Sequence, residues 1–235
     1  EALAGSPKPL RAPRPLDGSV GVPEDGRGIP TGRHPEEGGP VVVLAFTRLH
    51  AGGKFDKRDG NGAYAFSGGL HGVGVAVTNA LSTRIEVEIR RDGKIHRIAF
   101  SDGGEKIGAL ELTGDCGRQR GTNVRVWPDG RYFDSPRVPQ AELERLLRSK
   151  AVLLPGVSVR LDIEQPAAAA LTKTWSYPEG LAGYLREQAG DVDADALAPL
   201  YTSEKYAGKD DPAYAPGEGA AWALAWFEHP VPSES

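Results

Sequence analysis

The stretch from Ala51 to Gly74 is rich in glycine and ends as Gly69-Leu70-His71-Gly72-Val73-Gly74, directly before a segment carrying Val75, Val77, Ala80 and Leu81. Those apolar positions fit a helix whose first turn begins at the last glycines. Three glycines at a helix start leave backbone N–H groups and the positive helix end open to a phosphate chain, although such a loop also serves as a plain flexible connection. The order G-x-x-G-x-G is not the G-x-G-x-x-G that a dinucleotide fold requires after its first strand. Gly52-Gly53-Lys54 looks like the end of a P-loop, but Phe55 stands where Ser or Thr must ligate magnesium. No glycine lies five residues before Gly53.

A chain of 235 residues suits one large α/β unit or two small domains. Its 31 glycines are roughly twice the usual share of about 7%, so glycine positions carry information. The single Cys116 excludes a disulfide framework and a multi-cysteine zinc site. The longest apolar run, Val41 to Phe46, is far short of the roughly 20 residues of a helical membrane span. A net charge of −4 argues against coating nucleic acid by bulk positive potential and leaves room for a local basic face. With Glu1 first and no Met, both ends are expected to be cuts.

Five prolines between residues 6 and 23 (Pro7, Pro9, Pro13, Pro15, Pro23) predict loop or edge structure there. The run from Pro40 to Leu49 fits strand or helix equally by periodicity. Arg84 to Arg90 alternates Ile85, Val87 and Ile89 with charged residues, and Asp92-Gly93 predicts a type I′ turn into Ile95 to Phe100. Thr122 to Trp127 and Val157 to Ile163 read as further strands. Pro139 to Leu153 reads as an amphipathic helix with Leu143, Leu146 and Leu147 on one face. Strands and helices mingle without strict βαβ alternation, which predicts an α+β two-layer sandwich. Ala167 to Ala170 reads as a loop and Asp191 to Gly219 as an acidic, Pro/Gly-punctuated linker.

Several segments stand in one order along the chain: Glu24-Asp25-Gly26-Arg27-Gly28-Ile29-Pro30, His34-Pro35-Glu36-Glu37, Leu49 to Phe55, Ser67 to Gly74 with Asn79 to Ser82, and Gly121-Thr122 before Trp127-Pro128. Together they closely resemble the ATPase region of the B subunits of bacterial type II topoisomerases, members of the gyrase/Hsp90/histidine kinase/MutL (GHKL) superfamily. Phe133 to Arg137, Lys150 to Val157 and Trp222 to Trp226 resemble the topoisomerase IV branch more than the gyrase branch. The likeness covers about residues 17 to 190 well. It implies a Bergerat-type ATP-binding domain over 1–190, a linker over 191–219 and the truncated start of a transducer domain over 220–235.

Carried over residue by residue, the resemblance makes Glu24 the acid that accepts a hydrogen bond from the adenine amino group, where the family has Asp. Gly26 then lets the backbone approach the base, Gly28 completes the motif, and Ile29 and Pro30 wall the pocket. Thr122 matches a threonine on the adenine side; without the resemblance it is simply a β-branched strand residue. Arg27 would cover one adenine face and pair with Glu1, since a guanidinium both stacks and bonds a carboxylate. Lys54 and the backbone of Gly69, Leu70, His71, Gly72, Val73 and Gly74 would hold the phosphates, with Ala51 to Gly74 as a lid. Arg91 matches the arginine at the pocket mouth where aminocoumarin-type inhibitors bind; its bland reading is a solvated hairpin charge. His50 and His71 are expected to be structural hydrogen-bonders rather than proton carriers.

The resemblance places the family's general-base Glu and magnesium-ligand Asn upstream of residue 1. No catalytic residue and no metal ligand is therefore assigned, and the chain alone is expected to hydrolyse ATP poorly. Residues 6 to 16 keep the family's length but not its apolar strand character; compensating frame slips and divergence to a loop both fit. For the full-length protein the resemblance implies ATP and Mg2+ as cofactors, DNA and the A subunit of topoisomerase IV as partners, and homodimerisation on ATP binding. It further implies ATP-dependent strand passage with decatenation and relaxation, in a cytoplasmic, nucleoid-associated enzyme with no membrane contact. The alternatives are a non-catalytic truncated relic, a gyrase B fragment, or another ATPase of the superfamily such as a mismatch-repair or chaperone protein.

Overall fold

The computed structural model describes residues 10–50, 72–189, 201–206 and 219–225. Glu1, Lys54, Gly69, Leu70 and His71 lie outside them, as do the Gly52-Gly53-Lys54 motif and Trp226. The chain opens with β1 (Leu10–Arg14) and β2 (Val20–Glu24), then α1 (Val41–Thr47) and α2 (Gly74–Ala80). A run of strands follows: β3 (Ser82–Arg91), β4 (Lys94–Ser101), β5 (Lys106–Ile107), β6 (Glu111–Asp115) and β7 (Gly121–Pro128). After these come α3 (Gln140–Leu153), β8 (Ser158–Gln165), β9 (Ala168–Ser176), α4 (Gly180–Ala189), β10 (Tyr201–Tyr206) and β11 (Gly219–Leu224).

These elements fall into two compact units, one of residues 1–147 and 159–174, the other of 148–158 and 175–235. The first holds a six-stranded sheet, ordered β2-β7-β3-β4-β5 with β6 also on β4, and the ladder of β1 on β8, with β9 on the far side of β8. Ile85, Val87 and Ile89 of β3 and Ile98 and Phe100 of β4 are buried on one sheet face, and α1 covers it with Val42 and Phe46. The Phe46 and Phe100 rings stack at 5.2 Å, which adds about 1 kcal/mol to the burial of their area.

Pro40 caps α1 with an extended backbone (φ −60°, ψ 133°). Three valines in a row disfavour a helix by propensity, but burying Val42 and Phe46 four residues apart on the sheet outweighs a few tenths of a kcal/mol per residue, about the size of that penalty. The last carbonyls of so short a helix need partners, and Asn79 of α2, 2% exposed, donates its Nδ2 to Phe46 O at 2.9 Å. α2 begins at Gly74 as the glycines predict, yet it buries Ala76 and Asn79 while Val75 and Val77 stay exposed.

The hairpin is the one the sequence predicts. Asp92 (φ 52°) and Gly93 (φ 78°) are both left-handed, as a type I′ turn demands, and β3 pairs with β4 from Arg84↔Ser101 to Arg91↔Lys94. Three expectations, on β9, on the linker and on α3, need correction, whereas the loop-or-edge expectation for the proline-rich start resolves to the edge. Leu10–Arg14 is a strand, pairing in parallel with β8 through Ala12↔Leu161. Pro13 is tolerated because β1 is an edge strand, and Gly21 makes room for it: a Cβ there would lie 2.7 Å from Pro13 Cγ. Ala168 to Ala170 is part of β9, not loop; only the turn before it, Pro166 with left-handed Ala167 (φ 55°), is irregular. Tyr201–Tyr206, inside the stretch read as linker, pairs with β11. In α3, Leu143 and Leu147 are buried, whereas Leu146 is 53% exposed.

β1 is tied to β8 by a charge cluster with a pH signature. Asp162 accepts hydrogen bonds from Arg11 Nη2 (2.7 Å), Arg160 Nε (2.7 Å) and Thr172 Oγ1 (2.9 Å). Burial alone would raise its pKa, but these three donors outweigh burial and hold it at about 2, against 3.8 for a free Asp. The folded-state value is depressed, so the stabilisation is full above about pH 4 and fades as pH falls towards 2. In acid titrations followed by circular dichroism, the stability gap between the parent and Asp162→Asn should therefore close between pH 5 and pH 2; a gap that persists contradicts the assignment.

In the second unit Tyr177 is buried, donates its hydroxyl to Glu187 and accepts from Arg148 Nε at 2.9 Å. Arg148 also lies over the Tyr184 ring at 5.2 Å.

Candidate functional site

Sheet register assembles the site. β2 runs antiparallel to β7 and ends at Glu24, which stands opposite Thr122; Thr122 in turn stands opposite Ile89 of β3. One rung thus carries Glu24, Thr122 and a core residue. Beyond Glu24 the chain turns back on itself through Asp25-Gly26-Arg27-Gly28. The Glu24 carboxylate retracts onto that turn, its Oε2 accepting the Gly26 N–H at 2.7 Å.

Two further bonds fix the turn. Ile29 N donates to Thr122 Oγ1 at 3.2 Å, and Arg91 Nη1 donates to Gly28 O at 2.7 Å. Thr122 is 4% exposed, so its hydroxyl satisfies a backbone donor that would otherwise be stranded. Thr122→Val keeps the shape and removes the acceptor. It should cost about 1–3 kcal/mol in urea unfolding; a variant as stable as the parent contradicts the bond's role.

The glycines here serve protein backbone. Gly28 (φ +73°) lies so close to β3 that a Cβ would sit 2.8 Å from Arg90 O, and 3.2 Å from Gly121 O. Gly121 (φ +129°) is tighter, since a Cβ there would overlap the Glu24 carbonyl oxygen. Residue patterns single out Thr122 but not the demand on Gly121, whose only trace in the sequence is a glycine directly before a strand.

Of the residues expected at the site, Glu24, Gly26, Gly28, Ile29, Thr122 and Arg91 come together here. Ile29 packs on the core cluster, while Arg27 and Pro30 are exposed. Gly72, Val73 and Gly74 lie at the start of α2, where Gly72 (φ +62°) accepts the backbone N–H of left-handed His50 at 3.1 Å. His50 thus bonds there through its main chain. α2 has seven residues, so the positive end of the helix is by itself a weak anchor for an anion. A Cβ at Gly74 would meet nothing within 4 Å. Among the described residues no group of three or more His, Cys, Asp or Glu is arranged to hold a metal ion, and no helix is long and apolar enough to cross a membrane.

The chain is 44% identical over 228 residues to the B subunit of DNA topoisomerase 4 from Escherichia coli (strain K12), covering 97% of this chain and 34% of that protein. The chain is a homologue of the B subunits of type II topoisomerases. It is also 43% identical, over the same shares, to the corresponding topoisomerase 4 protein of Pseudomonas aeruginosa, and 44% identical over 165 residues (70% of this chain, 22% of that protein) to the B subunit of DNA gyrase from Micrococcus luteus. The likeness to these topoisomerase IV proteins thus extends over more of the chain. The chain spans about a third of their length. No protein-family model matches it. Its fold is that of the 43K ATPase domain of Thermus thermophilus gyrase B, solved in complex with an aminocoumarin, with a TM-score of 0.69 and 31% identity over 88% of this chain and 50% of that one.

Proposed function

We propose that this chain carries the adenine-binding end of the ATP site in the B subunit of a type II topoisomerase of the topoisomerase IV branch. The observation that carries the reading is the Glu24–Thr122 rung with the turn folded over it. One Glu24 oxygen is held by Gly26 N–H, and the other makes no hydrogen bond to a described residue. A carboxylate held in that way fits a base that presents an amino group, because an ionised carboxylate only accepts.

In this reading Gly26, Gly28, Ile29 and Pro30 line the base, Arg27 covers it and pairs with Glu1, and Arg91 stands at the mouth. The location of Arg91 suits a pocket rim, and the aminocoumarin bound to the Thermus ATPase domain makes the same class of inhibitor a candidate ligand here. Lys54 with Gly69, Leu70, His71, Gly72, Val73 and Gly74 would hold the phosphates, and Mg2+ would accompany them to neutralise phosphate charge. Residues 1–190 would form the ATP-binding domain and 220–235 the start of a transducer domain, with β10 of the stretch between them paired to β11. The whole protein would act in the cytoplasm, dimerise on ATP binding, and pass one DNA duplex through another together with the A subunit.

Calorimetric titration with magnesium-ATP and magnesium-GTP tests the reading. Guanine presents a carbonyl where adenine presents its amine, so two acceptors would face each other at Glu24 and GTP should bind at least roughly tenfold more weakly. Equal affinity for the two nucleotides contradicts it.

A further inference from the structure

A strand at the end of a sheet offers unpaired N–H and C=O groups to other chains unless proline, charge, irregularity or a covering element stops it. Most sheet ends in the first unit are guarded in these ways. β1 carries Pro13 and lies against β2, which carries Pro23. At the other end of the six-stranded sheet β5 has two residues, and β6 is short, bears Glu111 and Asp115, and meets β4 across a register shift. β9 is the exception. It runs for nine residues without a proline, and no described strand pairs with its side away from β8.

Two consecutive side chains identify the faces of β9. Thr172 Oγ1 donates to Asp162 of β8 at 2.9 Å, while Lys173 Nζ donates to Glu144 of α3 at 2.6 Å. The one charge on the strand is therefore neutralised within the chain, which weakens the usual guarding effect of an edge lysine. From Ala168 to Thr172 every residue is exposed and uncharged, and Leu171 is 39% exposed.

We propose that β9 pairs antiparallel with β9 of a second copy of this chain, about a twofold axis at Leu171. The stretch Ala168-Ala169-Ala170-Leu171-Thr172-Lys173-Thr174 is complementary to its own reverse. With Leu171 opposite the partner's Leu171, Ala170 meets Thr172, Ala169 meets Lys173 and Ala168 meets Thr174. Small side chains then lie opposite larger ones, and no charge faces a like charge. Parallel pairing in register would set Lys173 against Lys173 and alanine against alanine. A twofold contact uses one patch twice, so the match between the two halves of this strand selects a second copy over an unrelated peptide. Alanine is a poor strand former, and the added ladder stabilises a strand that its own sequence supports weakly. Nine residues a side is well below the roughly 20–30 of a standard interface, so the association is weak. It needs no nucleotide, unlike the ATP-driven dimerisation proposed for the whole protein, and it does not rest on the Glu24 site.

The test is sedimentation velocity of the full chain without nucleotide, from roughly 10 µM to 1 mM, a range suited to a weak complex. The parent should pass from monomer towards dimer as concentration rises. Ala169→Lys sets a like charge against the partner's Lys173 twice per dimer and should weaken association by roughly 2- to 30-fold, whereas Ala169→Glu should strengthen it by a similar factor. Position 169 is exposed, so both variants should keep the parent's unfolding midpoint. Alternate amides between Ala168 and Thr174 point away from β8, and their hydrogen exchange should slow with concentration in the parent. A parent that stays monomeric throughout, or a dimer that both variants leave unchanged, overturns the proposal. Slow exchange at these amides in a chain that stays monomeric also overturns it, because another segment of the same chain would then cover the edge.

Discussion

Glu24→Ala is expected to weaken magnesium-ATP binding by roughly 10- to 100-fold, the loss that follows when a hydrogen bond to a charged group worth about 1.5–3 kcal/mol disappears. Truncation also frees the Gly26 N–H, whose partner is Glu24 Oε2, so part of the loss comes through the turn itself. Glu24→Gln separates the two contributions. Its amide oxygen can still accept from Gly26, but facing the base it offers a weaker acceptor or a donor. It should keep the parent's stability and lose most of the affinity. Glu24→Asp, which restores the residue typical of the resemblance, should bind at least as well as the parent. Calorimetry on the three variants gives the comparison, and full affinity in Glu24→Ala would remove Glu24 from the site.

Gly121→Ala should be the most damaging single methyl in the first unit. Its backbone lies at φ +129°, where an L side chain is strained, and the added carbon would overlap the Glu24 carbonyl oxygen, which belongs to the adjoining strand and cannot rotate away. A cost of about 3 kcal/mol or more is expected, large for a single substitution. Because β2 must shift to accommodate it, nucleotide affinity should fall with stability. Gly117→Ala is the control: it too has positive φ (+56°), but a Cβ there meets nothing within 4 Å, so only the backbone penalty of about 1 kcal/mol applies. Urea unfolding midpoints compare the pair; equal shifts would mean that the close approach at Gly121 is not what excludes a side chain.

What the sequence makes legible is local chemistry, and what it hides is register. The hairpin is written in Asp92-Gly93, because only residues tolerant of positive φ close a two-residue turn. The start of α2 is written in the glycines. By contrast, Pro13 leaves β1 open between loop and edge strand, and only its place at the sheet edge and the room at Gly21 decide for the strand. Ala168 to Ala170 has no β-branched residue to announce β9, and Tyr201–Tyr206 is hidden among turn formers. Burial overrides propensity at Val41 to Val43, which gives a helix. At the site, the motif around Glu24 and the isolated Thr122 are visible as residue types. The bond from Arg91 to Gly28 O and the crowding at Gly121 are not, because both depend on β3, β7 and the turn meeting in space.

The nucleotide site is tested most directly by following backbone amides in 1H–15N spectra as magnesium-ATP is added to the chain. Gly26, Ile29 and Thr122 belong to one rung and the turn over it, and they should show the largest changes among the described residues, saturating together at one affinity. Saturable changes centred elsewhere, with these three amides unmoved, would contradict a nucleotide site built on Glu24.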